Sequence, residues 1–338
     1  MKIIACVPNF SEGCDVNLIR QIAGAVEAVE GVHLLGVESG RAANRTVVTF
    51  AGEPEAVCEA AFRAAEKATA LIDMRKHHGI HPRFGATDVL PLIPVAGVTM
   101  DEAVALARAL AQRIGNELQF PVYCYEQAAF CDGRRNLAHC RAGGYEGLAA
   151  KLAAPEWQPD FGPARFVPRT GATAVGARNV LVAYNVNLDT ASVALAHAVA
   201  LDVRESGGGL RLKAVKAIGW FVEEYRLAQV SMNLTDIAAT PLHAAFEAVC
   251  GRAQARGVRV TGSEVVGLVP LQAMLEAGRY FLAKLRQPVA ASDSETIQAA
   301  VRNMGLDEVK PFDPQQKIME YKMQLCENRR RRRYSSSS

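Results

Sequence analysis

Hydrophobic periodicity runs through the same order of elements twice, and that repeat constrains the fold more than any single stretch of the chain. The first copy opens with an apolar strand at Ile3 to Val7. A helix capped at Asp15 follows, with Ile19, Ile22, Ala23 and Val26 on one face. Strands are predicted at Val32 to Val37 and Thr46 to Ala51, a helix from Pro54 to Ala70 with proline in its first turn, and a fourth strand at Val89 to Val95. The second copy predicts a strand at Val180 to Val186, a helix from Thr190 to Arg204, and strands at Leu212 to Val222 and Gln229 to Leu234. A helix from Thr240 to Ala255 and a strand at Val258 to Thr261 complete it.

Each copy reads βαββαβ, the split pattern of ferredoxin-like domains. The expectation is an α+β protein of two ferredoxin-like subdomains, with antiparallel or mixed sheets and helices packed on them. Residues 1–178 form the first subdomain, 179–322 the second, and 323–338 a disordered basic tail. A helix at Met100 to Leu118, a strand at Pro121 to Tyr125 and a short helix at Tyr145 to Leu152 read as additions to the first subdomain. Pro155 to Arg169 is too rich in proline and glycine for a regular element and reads as an ordered loop. Loops of this kind commonly hold ligands.

Composition narrows the function classes. Half of the 338 residues are hydrophobic, enough for two cores. The net charge of +3 rests on the run Arg329 to Arg333; the rest of the chain carries −2, with 33 basic against 35 acidic residues, and gives no global signal for nucleic acid. The eight cysteines show no CxxC pair and no zinc-type spacing, so they read as small hydrophobes in a reducing compartment. The apolar start before Pro8 is too short for a secretory signal, and no apolar run approaches the length of a membrane span. A cytoplasmic protein without a membrane partner is expected.

Three of the seven histidines, His77, His78 and His81, fall in the segment DMRKHHGIHPRFGATD from Asp73 to Asp88. Gly79, Pro82 and Gly85 break any helix there, which leaves a loop. The residues alone permit three readings. One is a metal site completed by Asp73 or Asp88, and another is a solvated loop with no chemical role. The third is general acid/base catalysis, because imidazole titrates near neutrality and Arg83, Asp88 or Glu38 can orient it. Phosphate-loop, dinucleotide and nucleophile-elbow motifs are absent. Gly207 to Gly209 reads as a hairpin or linker.

The strings VPNFSEG (Val7 to Gly13), NRTVVTFAGEPE (Asn44 to Glu55), LIDMRKHHGIHPRFGATD (Leu71 to Asp88), FPVYCYEQAA (Phe120 to Ala129), PDFGP (Pro159 to Pro163), GARNVLVAYNVNL (Gly176 to Leu188) and GLVP (Gly267 to Pro270) closely resemble glutamate formiminotransferase. That family comprises the formiminotransferase part of formiminotransferase-cyclodeaminase and its free-standing bacterial relatives. The resemblance runs in order from about residue 3 to 322. It implies a homodimer of subunits with two ferredoxin-like subdomains and folate held between them. It also implies transfer of the formimino group from N-formimino-L-glutamate to tetrahydrofolate, the co-substrate, in histidine degradation, with no metal. The family's catalytic histidine corresponds to His81, in His81-Pro82-Arg83-Phe84-Gly85, and its acidic residue to Glu38. Its folate loop corresponds to Gly162, Pro163, Ala164, Arg165, Phe166, Val167, Pro168, Arg169, Thr170 and Gly171.

Substrates that carry carboxylates call for cations, and Arg83, Arg165, Arg169 and Arg178 are candidate clamps or else solvated surface arginines. Phe166, with Pro163 and Pro168, either packs on the folate or anchors the loop. The nearest rival activity is formyl transfer between 5-formyltetrahydrofolate and glutamate. From other classes, the chain reads as a folate-binding protein without catalysis or as an assembly module using its basic tail.

Overall fold

Proline has no amide hydrogen to give a ladder, and the first strand is interrupted at Pro8 into β1 (Ile3–Cys6) and β2 (Asn9–Phe10). The computed structural model describes residues 2–41, 43–79, 82–286 and 292–335. Contacts divide the chain into two units, Met1–Arg178 and Asn179–Ser338. In the first, the Asp15 carboxylate accepts from the amides of Asn17 and Leu18 at 2.9 and 3.1 Å and starts α1 (Val16–Glu27). Then come β3 (Val32–Gly40), β4 (Arg45–Gly52), α2 (Pro54–Leu71) and β5 (Thr87–Ala96). Across the sheet the order is β3, β4, β1 with β2, and β5, all antiparallel, which is the ferredoxin-like arrangement.

Further elements extend this sheet: α3 (Met100–Leu118), β6 (Val122–Glu126), α4 (Leu137–Arg141), α5 (Gly144–Ala153) and β7 (Thr173–Ala177). Thr99 and Glu102 close a capping box on α3. β7 lies between β5 and β6, parallel to both. The sequence pattern gave no strand at β7. The segment before it is pinned through Asp160, which accepts from the Cys124 amide at 2.7 Å and from Arg134 at 2.5 Å.

The second unit contains β8 (Val182–Leu188), α6 (Val193–Val203), β9 (Val215–Val222), β10 (Leu227–Leu234), α7 (Leu242–Gln254) and β11 (Val260–Val266). Its antiparallel sheet runs β11, β8, β10, β9, again the ferredoxin-like order. Side chains alternate: Val182, Tyr184, Val186 and Leu188 join the core under the helices, and Asn185 and Asn187 face the other way. A helix pair with no counterpart in the sequence reading, α8 (Leu271–Lys284) and α9 (Asp293–Met304), completes this core, followed by α10 (Pro314–Lys317).

α11 (Met319–Ser335) is helical through the arginine run, where methionine, leucine, glutamine, glutamate and arginine are good helix formers and no glycine or proline intervenes. All eight cysteines are free thiols. Burial pushes Cys58 and Cys124 up to about 12 and Cys140 and Cys250 up to about 11, which keeps them protonated and unreactive. Among the described residues no helix is long and apolar enough to cross a membrane.

Candidate active site

Strings that are far apart in the sequence meet at one end of the first unit. Asn44, in the turn between β3 and β4, has a left-handed backbone (φ 46°), which asparagine tolerates better than most residues. Its side-chain oxygen accepts from the Gly13 amide at 2.9 Å, and its amide donates to the His78 carbonyl at 2.8 Å. Its own carbonyl lies 2.8 Å from Nε2 of His77. One asparagine thus ties the loop after β2 and the histidine loop to the β3–β4 turn.

The contacts of His77 settle its tautomer. A carbonyl only accepts, so Nε2 carries the proton; Nδ1 is then an acceptor, and it takes the Nε–H of Arg83 at 3.2 Å. Burial, reinforced by the Arg83 cation, lowers the His77 pKa, while the Asn44 carbonyl opposes the shift. His77 is therefore a neutral structural link. The remaining nitrogens of Arg83 form a fork on Glu146 at 2.7 and 2.9 Å, and this hydrogen bonding holds the Glu146 carboxyl below its ordinary range. Arg83, a candidate clamp by sequence, already has its partners inside the unit.

Asp88 is 1% exposed on β5. It accepts from the Phe84 amide at 3.1 Å and from Arg141 at 2.5 Å. Burial pushes its pKa up, and Arg141 and Arg45 pull it back down. Arg45 donates to Asn9, and burial lowers its pKa. Two guanidiniums around one buried carboxylate leave one positive charge here, suited to an anionic substrate.

The loop from Gly162 to Gly171 is stitched to the segment that follows the histidines. The Ala86 amide donates to the Thr170 carbonyl at 2.8 Å, the Ala172 amide to Phe84 at 2.9 Å, and the Met74 amide to Arg169 at 2.9 Å. Gly85 faces Gly171 so closely that a Cβ on Gly85 would stand 1.9 Å from the Ala172 oxygen. One on Gly171, whose φ is +72°, would stand 2.2 Å from that of Phe84. Ser11 joins them, its hydroxyl donating to the Gly85 carbonyl at 2.7 Å. Within the loop Thr170 and Gly171 are buried, Gly162, Pro163, Phe166 and Val167 are half-buried, and Ala164, Arg165, Pro168 and Arg169 are exposed. Phe166 packs on Tyr145, ring centroids 5.4 Å apart, and the Tyr145 hydroxyl donates to Pro168. Arg169 donates to the Ala70 carbonyl at 2.6 Å.

His81 lies outside the described residues. Glu38 is exposed on β3, opposite Val47. Sequence reasoning missed Asn44, Arg45, Arg141 and Glu146. Asn44 carried a usable signal, as an asparagine heading one of the family strings; the others meet their partners only through the fold.

The model of the formiminotransferase domain's N-terminal subdomain matches residues 3–178, and that of the formiminotransferase domain matches residues 183–324. The chain is 50% identical over 324 residues to formimidoyltransferase-cyclodeaminase of Sus scrofa, covering 95% of this chain and 60% of that one. To the same enzyme of Gallus gallus it is 48% identical over 327 residues, covering 96% and 60%. It is 43% identical over 281 residues to glutamate formimidoyltransferase of Streptococcus pyogenes serotype M1, covering 83% of this chain and 93% of that one. The chain thus spans about 60% of the length of the cyclodeaminase-bearing relatives.

Proposed function

The chain belongs to the formiminotransferase family, and from that premise we propose that it transfers the formimino group from N-formimino-L-glutamate to tetrahydrofolate, giving 5-formiminotetrahydrofolate and L-glutamate. The observation that carries this reading is the stitching of the Gly162–Gly171 loop to the Phe84–Asp88 segment, beside the positive cluster of Arg45, Asp88 and Arg141. A folate-binding loop and the segment that follows His81 would then be held as one rigid piece, which orientation-dependent group transfer requires.

In this proposal N5 of tetrahydrofolate attacks the formimino carbon, forming the new carbon–nitrogen bond. His81 takes the N5 proton and returns a proton to the glutamate nitrogen as its bond to that carbon breaks. No net proton or electron is consumed. Glu38 would orient the His81 ring, and Arg83 would hold the loop through His77 and Glu146. The same reading makes the protein a homodimer acting in the cytoplasm in one-carbon metabolism, and sedimentation at twice the protomer mass checks the first of these.

The direct test is a product assay on the purified chain. Formation of 5-formiminotetrahydrofolate from formiminoglutamate and tetrahydrofolate is expected. Formyl transfer from 5-formyltetrahydrofolate to glutamate alone, or folate binding without turnover, would overturn the proposal.

A further inference from the structure

The two halves of the Gly162–Gly171 loop are held in different ways. At its end, Arg169, Thr170 and the following Ala172 share backbone hydrogen bonds with Met74, Ala86 and Phe84. The half from Pro163 to Pro168 shares none with the rest of the unit. Prolines at both its ends have no N–H to give, and the Val167 carbonyl is taken from within the loop, by the amides of Thr170 and Gly171 at 3.2 and 2.8 Å. Val167 and Phe166 pack on apolar neighbours, contacts that fix position less sharply than a directed bond. Among the described residues a single hydrogen bond reaches this half from outside the loop, from the Tyr145 hydroxyl to the Pro168 carbonyl at 2.5 Å.

The chain before Tyr145 sets its place. Gly143 and Gly144 both have left-handed backbones, with φ of +87° and +62°, a succession that only glycine adopts readily, and they turn the chain from α4 into α5. The Tyr145 amide then donates to the Arg83 carbonyl at 2.9 Å, and the neighbouring Glu146 takes the Arg83 fork. Its backbone is thus fixed to the segment that follows His81, while its ring lies 5.4 Å from that of Phe166 and its hydroxyl reaches Pro168. Burial, with the Asp73 charge, raises the pKa of this hydroxyl, so it keeps its proton and remains a donor at neutral pH.

We propose that Tyr145 is a positioning residue, a clasp that holds the Pro163–Pro168 half of the loop in its binding-competent place against the Arg83 segment. This inference rests on the folate-dependent reading above, in which that loop receives the co-substrate. Without the hydroxyl this half of the loop samples other positions, and the apparent affinity for folate falls with the fraction of molecules in the competent one. One neutral hydrogen bond sets the scale of that fall at about 3- to 10-fold. Saturating folate selects the competent position again, so turnover of the full complex is kept.

Tyr145→Phe tests it, because the variant keeps the ring on Phe166 and the amide on Arg83 and loses only the O–H. Two readouts on the purified chain are compared with wild type: steady-state kinetics, and the rate of trypsin cleavage after Arg165, which is exposed in the half of the loop concerned. In the ligand-free variant this cleavage is expected to be about 3- to 10-fold faster, and saturating 5-formyltetrahydrofolate to return it to the wild-type rate. KM for tetrahydrofolate is expected to rise by the same factor, with kcat and KM for formiminoglutamate unchanged. A merely structural role would lower the denaturant midpoint and leave the kinetic constants as they are. Unchanged cleavage overturns this inference alone, as does an equal rise in both KM values. Faster cleavage with an unchanged KM for tetrahydrofolate overturns the link between the clasp and folate. A wild-type chain without transferase activity overturns the parent reading, and the cleavage rates alone then decide whether Tyr145 holds the loop.

Discussion

The two units share one strand order and differ in what is built on it. The second is a four-stranded sheet with a hydrogen-bonded row of Trp220, Gln229 and Asn187 on the face away from its helices. The first carries two extra parallel strands, a buried carboxylate between two guanidiniums, and loops whose backbones leave no room for a β-carbon. One fold thus supports two chemical surfaces, and the chemistry follows the grafted loops more than the sheet beneath them.

The largest contrast is expected between two glycines. Gly171→Ala sets a methyl against the Phe84 carbonyl and forces the loop aside; displacement on the ångström scale is expected to lower turnover by about 10²-fold. Gly257 in the second unit also has a positive φ, +70°, but open space around it. Its alanine variant should cost about 1 kcal/mol in urea unfolding and leave turnover intact. Equal effects at both positions would erase the distinction between the units.

Asp88→Asn comes next, because it leaves the Arg141 and Arg45 cations without their buried counter-charge. A loss of about 3–5 kcal/mol is expected from denaturant midpoints. Stability within about 1 kcal/mol of wild type would mean that the cluster is solvated.

Each unit also holds one histidine whose pKa is lowered chiefly by burial, His77 and His243. For both, the folded value lies below the unfolded 6.5, so as pH falls the unfolded chain binds the proton first. Their stabilising contribution is complete above pH 6.5 and is lost progressively below it, down to the folded value. His77→Gln and His243→Gln should each flatten the acid limb of a stability–pH curve, and only the former should alter turnover. The smallest effect is expected for Glu146→Gln: the residue's side chain is 67% exposed, so losing its fork with Arg83 should cost under about 1 kcal/mol.

Much of the frame was legible because amphipathic periods and caps are local. α3 begins and ends where its pattern does, and Asp15 caps α1. β7 escaped because five residues, Thr-Ala-Val-Gly-Ala, carry too few β-branched side chains to announce a strand that neighbours on both sides create. The strand expected to end at Thr261 continues to Val266 past a shift in register beside Gly262, where alternation fails. The histidine cluster drew attention by composition, yet which ring is a structural link depended on Asn44 and Arg83, and the former lies 33 positions from His77. Arg83 and Arg169 looked available because spacing cannot reveal Glu146 or the Ala70 carbonyl.

The central claim is that the His81 imidazole moves the proton between the two nitrogens. Initial rates of 5-formiminotetrahydrofolate formation by His81→Ala, together with its affinity for 5-formyltetrahydrofolate, test it most directly. Turnover lower by about 10²-fold or more with affinity retained is the predicted result; near-normal turnover would contradict it.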